Sequence, residues 1–430
     1  MRRFKPWLLA LWSMSALAAS GEPVVVMTSY PEEVMSRFEE AFSEAHPQWR
    51  VQILWRQGYD ALPWLRQPEQ GGVDVYWAPS PGNFERLAAE NAWQPLGVDL
   101  RGLPARIGAT PLRDAQARYQ ATELAGYGFA SNPQRLLQLG APTPKDWPDL
   151  LDPRLREHIA LPDPARVGYA PVLLDIVLQA YGWERGWALW SELAGRARLV
   201  SRGGSLVSDE VASGRSALGL SIDFFVASAI SNGQPVRFTY PVHGGLNPAH
   251  IAISAASKHP DGARAFVRFV LSEAGQRLLA DPEIRKLPVR PDVYRSLPAH
   301  YPNSFRSAQR GTFAYHNSSA ERLALVTSLF VQWLGQPHER LNALWQRIHA
   351  GEAAGHDLSA VRACLSEPPV SASAAEAPAL LALFAARPSA GMDSVPTSEQ
   401  EPLGQQEIAW QFYSAQRQAE AQRLLEAMGL

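Results

Sequence analysis

Leu161-Pro162-Asp163-Pro164-Ala165-Arg166-Val167-Gly168-Tyr169-Ala170 is the stretch on which the reading of this chain turns. Just before it, His158-Ile159-Ala160-Leu161 is short and apolar, as a buried strand is. Just after it, residues 171–181 have the apolar content and length of a helix. The prolines, aspartate and glycine in between are turn and helix-start residues. A strand–turn–helix of this kind leaves backbone N–H groups at the helix mouth, where an anion can sit. The expectation is a ligand docked there, between two α/β lobes.

Upstream, residues 23–29 are a β-branched run and predict a buried first strand. Pro31 then opens a helix, with Glu32 and Glu33 in the first turn as the dipole prefers and Val34, Phe38, Ala41 and Phe42 on one face. Residues 49–55 and 73–77 read as further strands, and Ser80-Pro81 starts the next helix. Strands alternating with helices imply parallel pairing in a doubly wound sheet. Residues 117–131 read as two strands joined at Ala125-Gly126, a crossing into a second lobe. That lobe holds the opening stretch, long helices over 171–193, a helix opened by Gly203-Gly204-Ser205, a strand at 217–220 and a helix near Asp223. Residues 238–246 return the chain, residues 250–254 form a strand back in the first lobe, and a helix follows at 261–271. Residues 21–124 and 247–300 are thus assigned to lobe 1 and residues 125–246 to lobe 2, with a hinged cleft between them.

Beyond residue 300 the strand signals stop. Leu323, Val326, Phe330 and Trp333 lie at helical spacing, as do Leu341, Leu344, Trp345 and Ile348. Residues 301–365 are expected as a helical extension packed on lobe 1, and residues 366–403, rich in Pro, Ser and Ala, as a flexible linker. Residues 404–430 read as an amphipathic helix whose apolar face carries Ile408, Phe412, Ala415 and Ala419.

Composition removes several function classes. Forty Lys and Arg nearly cancel forty-two Asp and Glu, so no charge imbalance points to nucleic acid. Cys364 is the only cysteine, which leaves no intramolecular disulfide and no cysteine metal cluster. No Gly-x-Ser-x-Gly, His-Glu-x-x-His or Walker sequence occurs, and Gly126-Tyr127-Gly128 lacks the third glycine of a dinucleotide fingerprint. Neither a catalytic centre, a cofactor nor a metal is expected. Residues 1–20 combine a basic start (Arg2, Arg3, Lys5), a short apolar run and small residues at Ala16-Leu17-Ala18, the pattern of a secretory signal peptide.

Several segments together carry a resemblance. Val24-Val25-Val26-Met27-Thr28-Ser29-Tyr30, Phe38-Glu39-Glu40-Ala41-Phe42, His46-Pro47, Gly72-Val73-Asp74-Val75-Tyr76-Trp77, Gly126-Tyr127-Gly128-Phe129-Ala130-Ser131-Asn132 and Lys258-His259-Pro260-Asp261-Gly262-Ala263 resemble the extracellular solute-binding proteins of ABC importers. The branch is the one holding ferric-iron, polyamine and phosphorylated-solute binders, and the likeness spans residues 23–350. It implies a two-lobed type II periplasmic-binding fold with two interlobe crossings, a small-molecule solute, an ABC permease as partner, and a periplasmic monomer. The tail over residues 322–349 is similar to that of a regulatory member thought to act with a sensor kinase, which makes a solute sensor the alternative function. An exported hydrolase is the third, weakened by the missing nucleophile and base.

By position, the resemblance places ligand contacts at Ser29, Tyr30, Ala78, Ser80, Tyr127, Asp163, Gly168, Tyr169, Ser205 and Asp223. Arg166 and Arg202 are the side chains best suited to an anion, because a guanidinium grips carboxylate or phosphate with two bonds. Many relatives carry a hydroxyl–glycine–hydroxyl core where this chain has Val167-Gly168-Tyr169, which argues against a bare phosphate. Ferric-iron binders place adjacent tyrosines where this chain has Phe224-Phe225, and phenylalanine offers no oxygen to Fe³⁺. The expected ligand is a small phosphorylated or carboxylate solute, captured by hinge closure.

Overall fold

Residues 22–56, 58–201, 206–281, 284–298, 301–309, 313–385 and 401–430 are described in the computed structural model of the chain. The signal-peptide segment, Arg202 and Ser205 lie outside the described residues.

The first lobe grows from β1 (Val24–Thr28), which pairs in parallel with β2 (Val51–Trp55) on one side and β3 (Val75–Ala78) on the other. Helix α1 (Glu32–Ala45) buries Val34, Met35, Phe38 and Phe42, and Phe38 meets Trp77 edge-on at 4.8 Å. Helices α2 (Gly58–Leu65) and α3 (Pro81–Ala89) complete the alternation. Short strand β4 (Trp93–Gln94) and the β5 (Arg106–Ile107)–β6 (Thr110–Pro111) ribbon lead to the element that joins the lobes.

That element is β7 (Tyr119–Ser131), one strand of 13 residues where the sequence suggested two. Its first half pairs antiparallel with β12 (Leu246–Ser254), and its second half with β10 (Leu218–Ile222) and β11 (Arg237–Thr239). The strand runs unbroken through Ala125-Gly126, and glycine is required along it because the chain at the end of β11 approaches closely. A Cβ on Gly126 would overlap the Tyr240 ring, and one on Gly128 the Thr239 carbonyl.

The second lobe contains α4 (Pro133–Leu139), β8 (Ile159–Pro162), α5 (Ala170–Tyr181), α6 (Trp183–Ala194), β9 (Arg198–Val200), α7 (Leu206–Ala212), β10, α8 (Asp223–Ser231) and β11. Strand β8 runs parallel to both β10 and β9. The return strand β12 lies between β3 and β7, and α9 (Pro260–Leu271), α10 (Glu273–Leu279) and β13 (Leu287–Pro288) follow. Tyr127 pairs with the last residue of β10, Ile222, while Ala78 at the end of β3 pairs with His250, itself opposite Ala121. The carboxyl ends of the parallel strands in both lobes therefore converge on the middle of β7, where α/β sheets place ligands.

Past residue 300 the chain departs from expectation. After α11 (Ser304–Ala308) it crosses between lobes a third time. Phe313 sits in the first lobe's core, its carbonyl bonded by the Ala109 amide at 2.8 Å, whereas Tyr315 belongs to the second lobe's core. Fully buried Asp175 of α5 holds this crossing through Arg322 (2.8 Å), Ser318 (2.5 Å) and Tyr315 (3.2 Å). The extension then runs through α12 (Ala320–Phe330), a π-turn at Val331–Gly335, α13 (His338–Ala353), α14 (Ser359–Ser366), α15 (Ala372–Ala375), α16 (Pro378–Leu383) and α17 (Pro402–Ala427). Of the expected extension on lobe 1, only its start, through Tyr301, Phe305 and Phe313, packs there; from Tyr315 on it packs on lobe 2. The physical reason is the apolar surface of α5 and α6: Trp187 of α6 meets Trp333 at 5.7 Å, and the Trp345 indole donates to Ser191 Oγ at 3.3 Å. Glu192 of α6 ties in α13 and α14 through His349 (2.8 Å) and Arg362 (2.7 Å).

Two further expectations fail here. Residues 366–385 are not a loose linker: α15 and α16 lie within them, the Trp183 indole donates to the Val370 carbonyl at 2.8 Å, and Phe384 stacks on Trp410 at 6.0 Å. Helix α17 does not bury Ile408, Phe412, Ala415 and Ala419; all are exposed, and the opposite stripe through Trp410, Ala421 and Leu425 is buried.

Because Trp345 is fully buried between extension and lobe, Trp345→Ala should destabilise the protein by about 3–5 kcal/mol. Gly195→Ala should also destabilise it, by about 1–3 kcal/mol, since a Cβ there would overlap the Trp345 ring. Urea unfolding measures both. An extension that melts in a separate, earlier transition, with lobe 2 unaffected by either change, would contradict this packing.

Candidate functional site

The loop after β1 turns Tyr30 inward instead of out to solvent. Its ring packs edge-on against Trp77 at 5.1 Å, and its hydroxyl donates to Glu123 Oε1 on β7. Thr122 donates to the other Glu123 oxygen and accepts the Trp77 indole N–H at 2.9 Å. The buried Glu123 carboxylate is thereby satisfied by hydroxyls, as burial requires.

Lys286, just before β13, reaches into the same place. Its Nζ lies 3.7 Å from Glu123 Oε1, 4.3 Å from the Tyr30 ring centroid and 5.1 Å from the Phe224 ring centroid. Its side chain is only 15% exposed, and burial lowers its pKa while Glu123 opposes the shift. Tyr30 belongs to lobe 1 and Phe224 to lobe 2, so this ammonium is clamped between aromatic faces of both lobes. Next to it, fully buried Asp223 opens α8. Its Oδ2 accepts the Gly126 amide and the Tyr240 hydroxyl, each at 2.7 Å. Burial nonetheless pushes the Asp223 carboxyl up to about 7. Arg285 adds a second link across the lobes, donating to Ser228 Oγ at 2.7 Å.

The structure brings Tyr30 and Asp223 together with Tyr127, whose buried ring lies on β7 opposite Ile222. Ala78 is buried at the end of β3, and Ser80 precedes α3 without a side-chain capping bond. Ser29 is partly buried beside Tyr30. The opening stretch behaves differently from its sequence reading. Asp163 is a turn residue: its side chain accepts the Ala165 amide at 3.0 Å, and its carbonyl accepts the amides of Arg166 and Val167. Those amides, and that of Ala170, are already used within the turn, so the α5 mouth offers an anion fewer donors than expected. Tyr169 is buried, with its hydroxyl on the Leu220 carbonyl at 3.2 Å. Gly168 and Arg166 remain exposed, and Arg166 lies 3.8 Å from Asp163.

Glu123, Lys286 and Tyr240 escaped the sequence reading. A carboxylate inside the apolar run of residues 121–130 was the available signal for Glu123. Nothing local marks Lys286, because its partners come from β7, the β1 loop and α8. A depression of ≈ 350 Å³ also opens at the carboxyl end of β2, lined by Trp55, Arg56, Asp60, Pro63, Trp64 and Gln67, with Arg56 lying 4.3 Å over the Trp64 ring.

The profile of the family described as bacterial extracellular solute-binding protein matches residues 80–306. The chain belongs to this family. It is 29% identical over 318 residues to the phosphoglycerate transport regulatory protein PgtC of Salmonella typhimurium, covering 73% of this chain and 77% of that one. A shorter match, 31% identical over 153 residues, is to an uncharacterized protein of Haemophilus influenzae, covering 35% of this chain and 44% of that one. Among solved structures, iron-bound HitA from Pseudomonas aeruginosa superposes with a TM-score of 0.55 at 17% identity, covering 68% of this chain and 95% of that one. AfuA from Actinobacillus pleuropneumoniae, with fructose-6-phosphate bound, gives 0.52 at 16% identity, covering 68% and 94%. These likenesses establish the type II periplasmic-binding fold, and the family is one of ABC-type transport. Family membership implies export, and among the described residues no helix is long and apolar enough to cross a membrane.

The Asp223 carboxyl, near 4 in an unfolded chain (about 3.9) and about 7 here, makes stability depend on pH. Between those values the folded chain holds a proton that the unfolded chain has lost. This group's contribution is therefore full below about pH 4 and is lost as pH rises through about 7. Asp223→Asn should flatten that part of the stability–pH curve. An unchanged slope in chemical denaturation across this range would show that Asp223 does not titrate there.

Proposed function

We propose that the protein captures a small anionic solute in the cleft floored by the middle of β7 and presents it to an ABC permease. The observation that carries this reading is Lys286, an ammonium held between aromatic rings of the two lobes. The nearer of its two carboxylate neighbours, Glu123, is already bonded by the Tyr30 and Thr122 hydroxyls, and the other, Asp223, by the Gly126 amide and the Tyr240 hydroxyl. A carboxylate or phosphate oxygen from solution can therefore give this cation a stronger bond than Glu123 does, because charge-assisted bonds strengthen where water is excluded. Exposed Arg166 at the rim supplies a second cation from lobe 2. Contacts made to both lobes at once favour the closed state, which is how a ligand shifts such an equilibrium. Similarity to a phosphoglycerate transport regulatory protein, and a structural neighbour that holds fructose-6-phosphate, agree with a phosphorylated solute. Phe224 and Phe225, which lack oxygen donors, speak against iron despite the likeness to an iron-bound protein.

A second reading, a solute sensor acting on a membrane kinase, draws on the word regulatory in that relative's name and on the extension. Mounted on lobe 2, the extension moves with that lobe when the cleft closes, and Glu321 at the start of α12 lies 3.5 Å from Arg86 of lobe 1. A solute response that persists in cells lacking the permease would favour the sensor; a response lost with the permease returns the role to transport.

A thermal-shift screen of the purified protein against three-carbon phospho acids, sugar phosphates, polyamines, thiamine and metal ions tests the ligand class. An anion at a hundredfold excess over its Kd should stabilise the fold by about 2.7 kcal/mol. Stabilisation by a polyamine or a metal alone would overturn the anionic reading. In calorimetry, Lys286→Met should weaken binding by about 1.5–3 kcal/mol, and Arg166→Ala by the same or less. Unchanged affinity in either variant removes that residue from the site.

A further inference from the structure

Arg285 and Lys286 are neighbours in lobe 1, and both reach across to the same helix of lobe 2. Lys286 stands against the Phe224 ring at the start of α8, and the Arg285 guanidinium grips the far end of that helix. Nη1 of Arg285 donates to the Ser228 hydroxyl at 2.7 Å and to the Ser228 carbonyl at 3.2 Å, and Nη2 donates to Asn232 Oδ1 at 3.3 Å. Phe224, Ser228 and Asn232 are spaced four apart and so line one face of α8. Val226 and Ala229, on its other side, are buried within lobe 2.

Consecutive side chains of an extended chain point to opposite faces. Arg285 departs from that rule because its backbone is left-handed, with φ at 55°, and two successive cations face one helix. Glycine adopts this conformation freely, whereas a residue with a Cβ is strained in it and keeps it only where its surroundings hold it. What an arginine offers here and a glycine does not is the guanidinium.

The partners of that guanidinium are neutral. The Ser228 carbonyl lies in the last turn of α8, and Asn232 is the residue that closes the helix. A cation is favoured at this end by the helix dipole and by the carbonyls left open there. Among the described residues no carboxylate pairs with Arg285, whereas Lys286 has Glu123 at 3.7 Å. The two cations therefore have separate tasks: Lys286 is placed to exchange partners with a solute, and Arg285 to hold the lobes.

We propose that Arg285 is a latch between the lobes, a positioning residue that caps the carboxyl end of α8 from lobe 1 and holds this arrangement with or without a solute. Part of the hinge closure is then complete before a solute arrives. For the anionic solute of the proposed function, on which this consequence rests, affinity rises with the fraction of the protein already in the binding arrangement.

The latch can be read with no solute present. Spin labels at Glu39→Cys on α1 and Gln134→Cys on α4, both exposed, report the interlobe distance of the full mature chain by pulsed electron resonance, Cys364 being buried. With Arg285 in place the distances should form one narrow distribution. Arg285→Met keeps the stem and removes the donors, and should broaden the distribution and move it to longer distances. Arg285→Gly should do the same although it relieves the backbone. Ser228→Ala with Asn232→Ala, made on the other lobe, should lengthen the distances in part and add nothing when combined with Arg285→Met. In calorimetry, Arg285→Met should weaken binding of a three-carbon phospho acid by about the factor by which the short-distance fraction falls. Distances unchanged in Arg285→Met and Arg285→Gly overturn the latch; if those variants fold poorly, unchanged distances in the Ser228 and Asn232 variant overturn it. Longer distances in the variants of a protein that binds no anion uphold the latch and overturn the anionic solute instead.

Discussion

One strand shared by two sheets sets the terms for the rest of this molecule. Strand β7 donates and accepts along its first half with β12 and along its second half with β10 and β11, so both lobes hang on the same backbone. Buried peptide groups must be paired, and here the pairing is continuous across the junction. Gly126 and Gly128 are required because the returning chain at Thr239 and Tyr240 presses against the strand. Any change in the angle between lobes has to be absorbed at β7, at residues 240–246 and at the crossing near Phe313–Tyr315. His243, in the second of these, is bound to lobe 2 through Asp146 at 2.6 Å, which fixes one end of that connection.

Burial of charge at the same junction gives the cleft its chemistry. Glu123 comes from the shared strand, Lys286 from lobe 1 and Asp223 from lobe 2, and all three lie where the parallel strands of both lobes end. Removing charges from water is costly unless each finds partners, and a pair at 3.7 Å repays only part of that cost. A cluster of this kind is better suited to exchanging partners than to holding the lobes permanently. That property suits hinge closure around a solute, in which the ligand competes with internal contacts for the same groups.

From Tyr315 onward the extension is part of the second lobe's core and not an appendage, while Tyr301, Phe305 and Phe313 pack on the first lobe. Trp183 and Trp187 on α6 would lose Arg322 and Trp333 without the extension, and Glu192 would lose His349 and Arg362. Cys364, inside this packing, is buried with its thiol pKa raised by burial, the state of an inert cysteine. Tying the helices to one lobe also means that whatever they contact follows that lobe's motion.

Much of this was legible in the residues alone. The β-branched run at residues 24–28, the proline-started helices and the strand–turn–helix at residues 158–181 determined a two-lobed α/β protein, because those signals are local and repeat with the period of the element. Tyr30 and Asp223 were named from the resemblance, which places ligand contacts in the loop after the first strand and at the helix starts of the second lobe. Lys286 and Glu123 were not found together, because no local pattern links residues 163 positions apart in the chain. The tail shows the same division. Its helices were determined by the spacing of apolar residues, but the lobe they cover, and the face that α17 turns inward, were decided only in the tertiary structure. The buried stripe of α17 is held by hydroxyl and amide partners on the π-turn and α12, and hydrogen bonds between distant side chains leave no periodic trace in a sequence.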